Sequence, residues 1–190
     1  MAAATQRPTA APTPTTITET PADGFAAGTA SGSGVGSGGT ESLSGNVLTL
    51  DAAATAAGSA IACTITNQRP TFKIQKITTG GFGGPFTFAQ TNLASAPSSI
   101  TTLAAGTATP ASPTAISVTT VGTAVTLTET PAAGYALSSA SCTDANNAVT
   151  GNSGPIGSLA GNVLTIPAAN VKAGADFACV FTNTRLPTVT

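Results

Sequence analysis

The chain contains the same stretch twice. Residues 16–25 read TITETPADGF and residues 126–135 read TLTETPAAGY, so the interval from position 16 to position 126 is 110 residues. SLSGNVLTLDAA at 42–53 returns as SLAGNVLTIPAA at 158–169, and IACTITNQR at 61–69 returns as FACVFTNTR at 177–185. Those intervals, 42 to 158 and 61 to 177, are each 116 residues, so the second copy is longer between its blocks. Repetition on this scale marks tandem modules, and every later residue is placed against that period.

The overall bounds narrow the field. A length of 190 residues permits one or two small domains, each able to bury a modest core. With 41% hydrophobic and 7% charged residues, the chain has neither the low hydrophobicity nor the high charge of a disordered one. A net charge of −1, with only six Lys and Arg, leaves no electrostatic footprint for nucleic acid or an acidic membrane, and both partners are discarded. No apolar run approaches the ~20 residues of a membrane-spanning helix. The Thr, Ser, Ala and Gly composition, with Cys142 and Cys179 at positions in one module that can meet, points to an oxidising space outside the cytoplasm. The start, Met1-Ala-Ala-Ala-Thr-Gln-Arg-Pro8, lacks the basic-then-apolar profile of a secretory signal. Either a signal has been removed or this is a piece of something longer.

Alternation and turn chemistry predict strands throughout. Residues 1–15, with Pro8, Pro12 and Pro14, read as an extended linker or leader. Thr15, Ile17 and Glu19 share one side of a strand that ends at the turn Pro21-Ala-Asp-Gly24. The Gly-rich run 28–40 is predicted to be a flexible loop; it has no following Lys-Ser/Thr and no helix to open, so it is not a phosphate cradle. Val47–Leu50 and Ala60–Asn67 are predicted strands, joined through Asp51–Gly58 by a turn of helix or a loop. In the second copy Thr71–Ile77 and Phe86–Ala89 are strands about the turn Gly80–Pro85, and residues 98–122 hold further short strands. Many short strands with Gly, Pro and Asn turns indicate an all-β sandwich. A complete module runs from about 70 to 187, whereas residues 1–69 hold only the back portion of another.

Three polar residues stand out by parity. Side chains alternate along a strand, so Phe72, Ile74 and Lys76 share a face, as do Val125, Leu127 and Glu129, and Phe177, Cys179, Phe181 and Asn183. Each inward row ends in one polar group: an amine, a carboxyl and a carboxamide. An unpaired charge inside a sandwich is expensive, so if buried these three must meet.

A first-strand Lys, the wording LTETPAAGY in the middle, GGPFTF, SCT, and FACVFTNTR at the end resemble the prealbumin-like, SpaA or collagen-adhesin B-type repeat modules of bacterial extracellular surface proteins. The resemblance covers residues 70–187 well and 15–69 in part. It implies tandem prealbumin-like (Ig-like) β-sandwich modules, one complete and one partial. It also implies condensation of the first-strand Lys with the last-strand Asn, with loss of ammonia and with the Glu shuttling protons. Here these residues are Lys76, Asn183 and Glu129, and their counterparts in the partial module are Glu19 and Asn67. The alternative is that Lys76 snorkels to solvent, Glu129 supports the Pro131 turn and Asn183 caps a strand end.

A Cys142–Cys179 disulfide is expected, worth ~4 kcal/mol in the chain-entropy model. Cys63 corresponds to Cys179, but the position corresponding to Cys142 is Gly32, so Cys63 is unpaired in its module. It is either a buried thiol acting as a small hydrophobe or an intermolecular link. The partial module lacks the Lys strand and leaves an open edge, a hazard unless something fills it. Leu186–Thr190 repeats the start of a further module. Either the chain is cut from a long array, or it assembles head to tail, with the Thr188–Thr190 end of one copy adding as a strand to the partial module of another.

No external catalysis is expected. Without His there is no Ser-His-Asp or Cys-His arrangement, and the seven acidic residues form no paired constellation. Thr143-Asp-Ala-Asn-Asn147 reads as an Asx-rich turn rather than a calcium loop. No cofactor and no metal are implied. The sequence therefore points to an extracellular structural repeat protein of a bacterial surface, forming a stalk, fibre or filament by self-association. The runner-up is an adhesin module binding a glycan or host protein through its loops; the scarcity of aromatic residues weighs against it. Ice binding by Thr rows needs a strict short period that the chain does not keep.

Overall fold

The structure, a computed structural model, describes residues 12–22, 24–110 and 115–188. Most of the expected Pro/Thr leader and the end of the expected donor segment Thr188–Thr190 lie outside these residues. The chain divides into two compact units, Met1–Gln68 and Arg69–Thr190.

Among the described residues the first unit holds five strands, β1 (Thr15–Thr18), β2 (Ala26–Ser33), β3 (Glu41–Ser44), β4 (Val47–Leu50) and β5 (Ala62–Gln68). They form a three-stranded sheet in the order β1-β4-β3 and a two-stranded ladder β2-β5. The second unit holds β6 (Thr71–Thr79), β7 (Thr87–Thr91), β8 (Thr109–Pro110), β9 (Ile116–Ser117), β10 (Val125–Thr130), β11 (Tyr135–Asp144), β12 (Ser158–Ala160), β13 (Val163–Ile166) and β14 (Asp176–Arg185), with a short helix, α1 (Asn147–Thr150), and a 3-10 turn at Ala168–Asn170. One sheet runs β12-β13-β10-β7; the other runs β11-β14-β6-β8, with β9 also on β6.

The second unit is a β-sandwich because its strands alternate in burial. In β6, Phe72, Ile74, Lys76 and Thr78 are buried while the residues between them are not. Phe72, Phe86, Leu127, Leu164, Phe177 and Phe181 are among the fully buried side chains of the core. Phe88 of one sheet meets Phe181 of the other edge-on, with ring centroids 5.2 Å apart, and Phe72 lies 6.4 Å from Phe177. The first and last strands of the unit, β6 and β14, are paired in parallel from Asp176↔Thr71 to Thr184↔Thr79.

The first unit repeats part of this plan, register by register. Thr15↔Leu50 is matched by Val125↔Ile166, and Gly32↔Cys63 by Cys142↔Cys179. Even the irregularity in the β11–β14 ladder between Leu137 and Ser139 recurs in β2–β5 between Ala27 and Thr29. Among the described residues the first unit has no counterpart of β6, β7, β8 or β9.

The first part of the Gly-rich run expected to be a flexible loop, 28–33, is strand, and the rest is turn and loop. That first part lies in β2, whose ladder to β5 satisfies the backbone groups a loop would leave to water. The glycines serve close approach: a Cβ at Gly32 would run into the Glu41 carboxylate, which accepts the Gly32 N–H at 2.7 Å. Between β4 and β5 the chain makes turns gathered by Asp51, which accepts from Ala54 N at 2.7 Å and Thr40 Oγ1 at 2.6 Å. The hydrogen bond from Thr40 Oγ1, then those from the Ala54 and Thr40 backbone N–H groups, lower the Asp51 carboxyl below its ordinary value.

The extra length of the second copy falls between β11 and β12, where it forms α1 and the loop after it. Cys142 and Cys179 are joined as a disulfide, and Cys63 is a free thiol, half-buried rather than buried. Because Gly32 stands where Cys142 stands, Gly32→Cys is expected to close a second disulfide onto Cys63 once the Glu41 side chain swings aside. Thiol titration of the oxidised variant should then find no free cysteine, and unfolding should show a gain of ~2 kcal/mol, reversed by reductant.

A buried amine, carboxyl and carboxamide

Lys76 on β6, Glu129 on β10 and Asn183 on β14 meet inside the second unit, and none is more than 1% exposed. Each is placed by the same rule: it continues the inward-facing row of its strand, so the alternation that buries Phe72 and Leu127 also buries the polar residue that follows. The alternative of a snorkelling Lys76 is therefore not what the fold adopts.

The three groups form a closed triangle. Lys76 Nζ contacts Glu129 Oε2 at 2.5 Å and donates to Asn183 Oδ1, while Asn183 Nδ2 donates to Glu129 Oε1 at 2.5 Å. The ring of Phe86 lies 4.5 Å from the amine and that of Phe181 5.8 Å. Burial among these rings pushes the Lys76 amine below its ordinary value, and hydrogen bonding and charge attraction from Glu129 oppose that shift. A lowered amine is a better nucleophile, because more of it carries the free lone pair. The Asn183 carboxamide is held by the same carboxyl that contacts the amine. The arrangement has the parts of an amide-forming reaction within one side-chain cluster, with water excluded.

The partial unit contains two of the three groups. Asn67 Nδ2 donates to Glu19 Oε1 at 2.7 Å, reproducing the Asn183–Glu129 bond. Both residues are only half-buried, as the missing strands require.

Sequence reasoning missed the surroundings of Lys76. Phe86 was legible only as the start of a predicted strand, and nothing in its spacing showed that it would lie against the amine. It also missed a second buried carboxylate. Asp144 accepts from Asn146 N and Asp176 N at 2.9 Å each, from Thr150 Oγ1 at 2.6 Å and from Asn152 Nδ2 at 2.9 Å. Asn152 in turn bonds Asn170, and Lys172 Nζ donates to Thr150 O at 2.7 Å. The expected Asx turn is thus one edge of a network that ties the inserted segment to β14. Among the described residues no group of three or more metal-ligating side chains is present.

Burial raises the Asp144 carboxyl, but the hydrogen bonds from Thr150, Asp176, Asn146 and Asn152 outweigh it and leave the group below its ordinary value. A depressed carboxyl stabilises the fold above its unfolded pKa, near ~3.9, and that contribution fades as pH falls through the folded value. Asp144→Ala is expected to cost about 1–3 kcal/mol at neutral pH by orphaning buried donors. Denaturant melts run from neutral pH down to strong acid should show the difference from wild type shrinking on the acid side.

No curated protein and no solved structure gives a significant match to the chain. The model of one family, described as a prealbumin-like fold domain of the SpaA type, matches residues 1–69 and 72–185. Domains of this type are pilin-like or adhesin-like modules of bacterial surface proteins, structural or adhesive rather than catalytic. They are typically extracellular; the Cys142–Cys179 bond accords with such a location, and no helix among the described residues is long and apolar enough to cross a membrane. With its all-β sandwich and both stretches matched, the chain belongs to the SpaA-type prealbumin-like domain family.

Proposed function

We propose that the chain is a load-bearing structural module of an extracellular bacterial stalk, fibre or filament, and that its complete unit is locked by an isopeptide bond from Lys76 to Asn183. The observation that carries this reading is the burial of an amine, a carboxyl and a carboxamide in mutual hydrogen-bond contact. Even a well-paired buried cluster repays its desolvation poorly, whereas a covalent product removes the charges and keeps the geometry.

The chemistry balances within the triangle. Glu129 takes a proton from the Lys76 ammonium at Oε2, leaving a neutral amine and a carboxylic acid. The amine lone pair attacks Asn183 Cγ, and the acid polarises the carboxamide. The C–Nδ2 bond breaks, Nδ2 leaves as ammonia, and Glu129 relays the proton that the attacking nitrogen loses to the departing one. One ammonia is lost per bond formed, and no oxidant or cofactor takes part.

Head-to-tail assembly by strand complementation belongs to the same proposal. It is supported by the first unit, which repeats the sheet plan of the second without counterparts of β6 to β9 among the described residues. The second reading, an adhesin that binds through its loops, is favoured by exposed Phe82 and Leu186, which border a shallow cleft with Tyr135 and Arg185. A glycan or matrix-protein array would register it as retention that Phe82→Ala abolishes.

Intact mass under reducing, denaturing conditions tests the main proposal. The chain should weigh one ammonia less than its sequence, and Lys76→Ala, Glu129→Ala and Asn183→Ala should each restore the full mass. Because the bond spans 107 positions, its loss should cost about 5 kcal/mol in the chain-entropy model, read as a lower unfolding midpoint. A wild-type chain of full mass removes the covalent lock.

A further inference from the structure

The partial unit repeats the reactive triangle with one corner missing. Glu19 Oε2 and Asn67 Oδ1 are both buried from solvent and have no hydrogen-bond partner. Their counterparts, Glu129 Oε2 and Asn183 Oδ1, are the two atoms that Lys76 Nζ contacts in the complete unit. The third side of the triangle, Asn67 Nδ2 to Glu19 Oε1, is already in place at 2.7 Å. A buried carboxylate oxygen and a buried amide oxygen, both acceptors without a donor, are costly and together ask for a cation or an amine.

The backbone leaves room for the strand that would carry it. In the complete unit β14 is flanked by β11 and β6, whereas among the described residues β5 is paired only with β2. The inward row of β5, Cys63, Ile65 and Asn67, is half-buried where its counterparts Cys179, Phe181 and Asn183 are buried. On the facing sheet Ile17 is 39% exposed where Leu127 is 0%. Polar orphans, an open edge and a half-covered apolar row therefore coincide on one side of β5. No lysine occurs before Lys73 in the sequence, so residues 1–68 supply no lysine amine.

We propose that Glu19 and Asn67 form the acceptor half of a covalent docking site, whose occupant is a lysine-bearing β-strand of the chemistry of Thr71–Thr79 entering from outside these 190 residues. This rests on the Lys–Glu–Asn chemistry proposed above and extends it from a lock within a module to a joint between modules. The register follows from the β6–β14 pairing, in which Lys76 stands opposite Phe181 and Thr78 opposite Asn183. The incoming strand runs parallel to β5, sets its lysine opposite Ile65, and brings the counterparts of Phe72 and Ile74 to the half-buried apolar row. The amine nitrogen attacks Asn67 Cγ and the bond to Nδ2 breaks. Glu19 relays the proton from the attacking nitrogen to the leaving one, and ammonia departs. The product is an isopeptide bond between the strand's lysine and residue 67.

The test adds a synthetic peptide with the sequence of residues 70–79 to the full chain and reads intact mass after denaturation. The expected product is the chain plus the peptide less one ammonia, with fragmentation placing the link at Asn67. Replacing the peptide residue equivalent to Lys76 by Arg should abolish the adduct, and replacing the one equivalent to Lys73 should not. In the chain, Asn67→Ala should abolish it, Glu19→Ala should slow it by about 100-fold, and Asn183→Ala should leave it intact. A peptide that binds without a covalent adduct, does not bind, or couples to another residue overturns the proposal. The mass of the chain alone reports the Lys76–Asn183 bond independently. A chain short of one ammonia that never takes the peptide would leave the internal lock standing and remove only the joint.

Discussion

An ammonium and a carboxylate inside a β-sandwich are the constraint on which the second unit turns. Lys76 and Glu129 lie on different sheets, and Asn183 lies on the neighbour of the lysine strand, so contact among the three requires both sheets to be in register at once. Desolvating two charges costs several kcal/mol each unless they are matched in geometry and hydrogen bonding. The pairing of β6 with β14, and the seating of β10 against them, are thus fixed by more than apolar packing. The aromatic rings beside the amine desolvate it, which strengthens the attraction within the pair and also lowers the amine below its ordinary value.

The two units separate what the fold needs from what the buried cluster needs. The β2–β5 ladder and the β1-β4-β3 sheet keep the registers of their counterparts, including a shared irregularity, although β1 is exposed and the inward row of β5 only half-buried. The strand plan therefore tolerates the loss of the aromatic core, whereas full burial of the polar triangle does not. The complete unit carries two further fastenings on β14 that the partial unit lacks: the Cys142–Cys179 bond and the Asp144 network. Both residues have glycine at the equivalent place, Gly32 and Gly34, as the register and the repeat interval show.

The repeat made much of this legible from the residues alone. Strict alternation put Lys76, Glu129 and Asn183 on inward faces, and the offset between the copies picked out Glu19, Asn67 and the mismatch of Cys63 with Gly32. Where the sequence misled, the cause was tertiary. Gly28 and Gly32 look like loop residues because glycine is permissive, yet in β2 they admit the side chains of Gln68 and Glu41. The Asp144 network was illegible for another reason: beyond its local partners Asn146, Thr150 and Asn152, it is completed by Asn170, Lys172 and Asp176, which only the return of the chain after β13 brings to it.

The parallel course of β6 and β14 has a mechanical meaning. Tension applied at Arg69 and Arg185 enters at the start of one strand and leaves at the far end of its neighbour, so it pulls the pair past each other along their length. In that shear geometry the whole ladder from Thr71 to Thr79 resists together, instead of peeling one rung at a time. A bond between positions 76 and 183 would short-circuit the path, letting force pass directly from strand to strand while the rest of the sandwich stays slack.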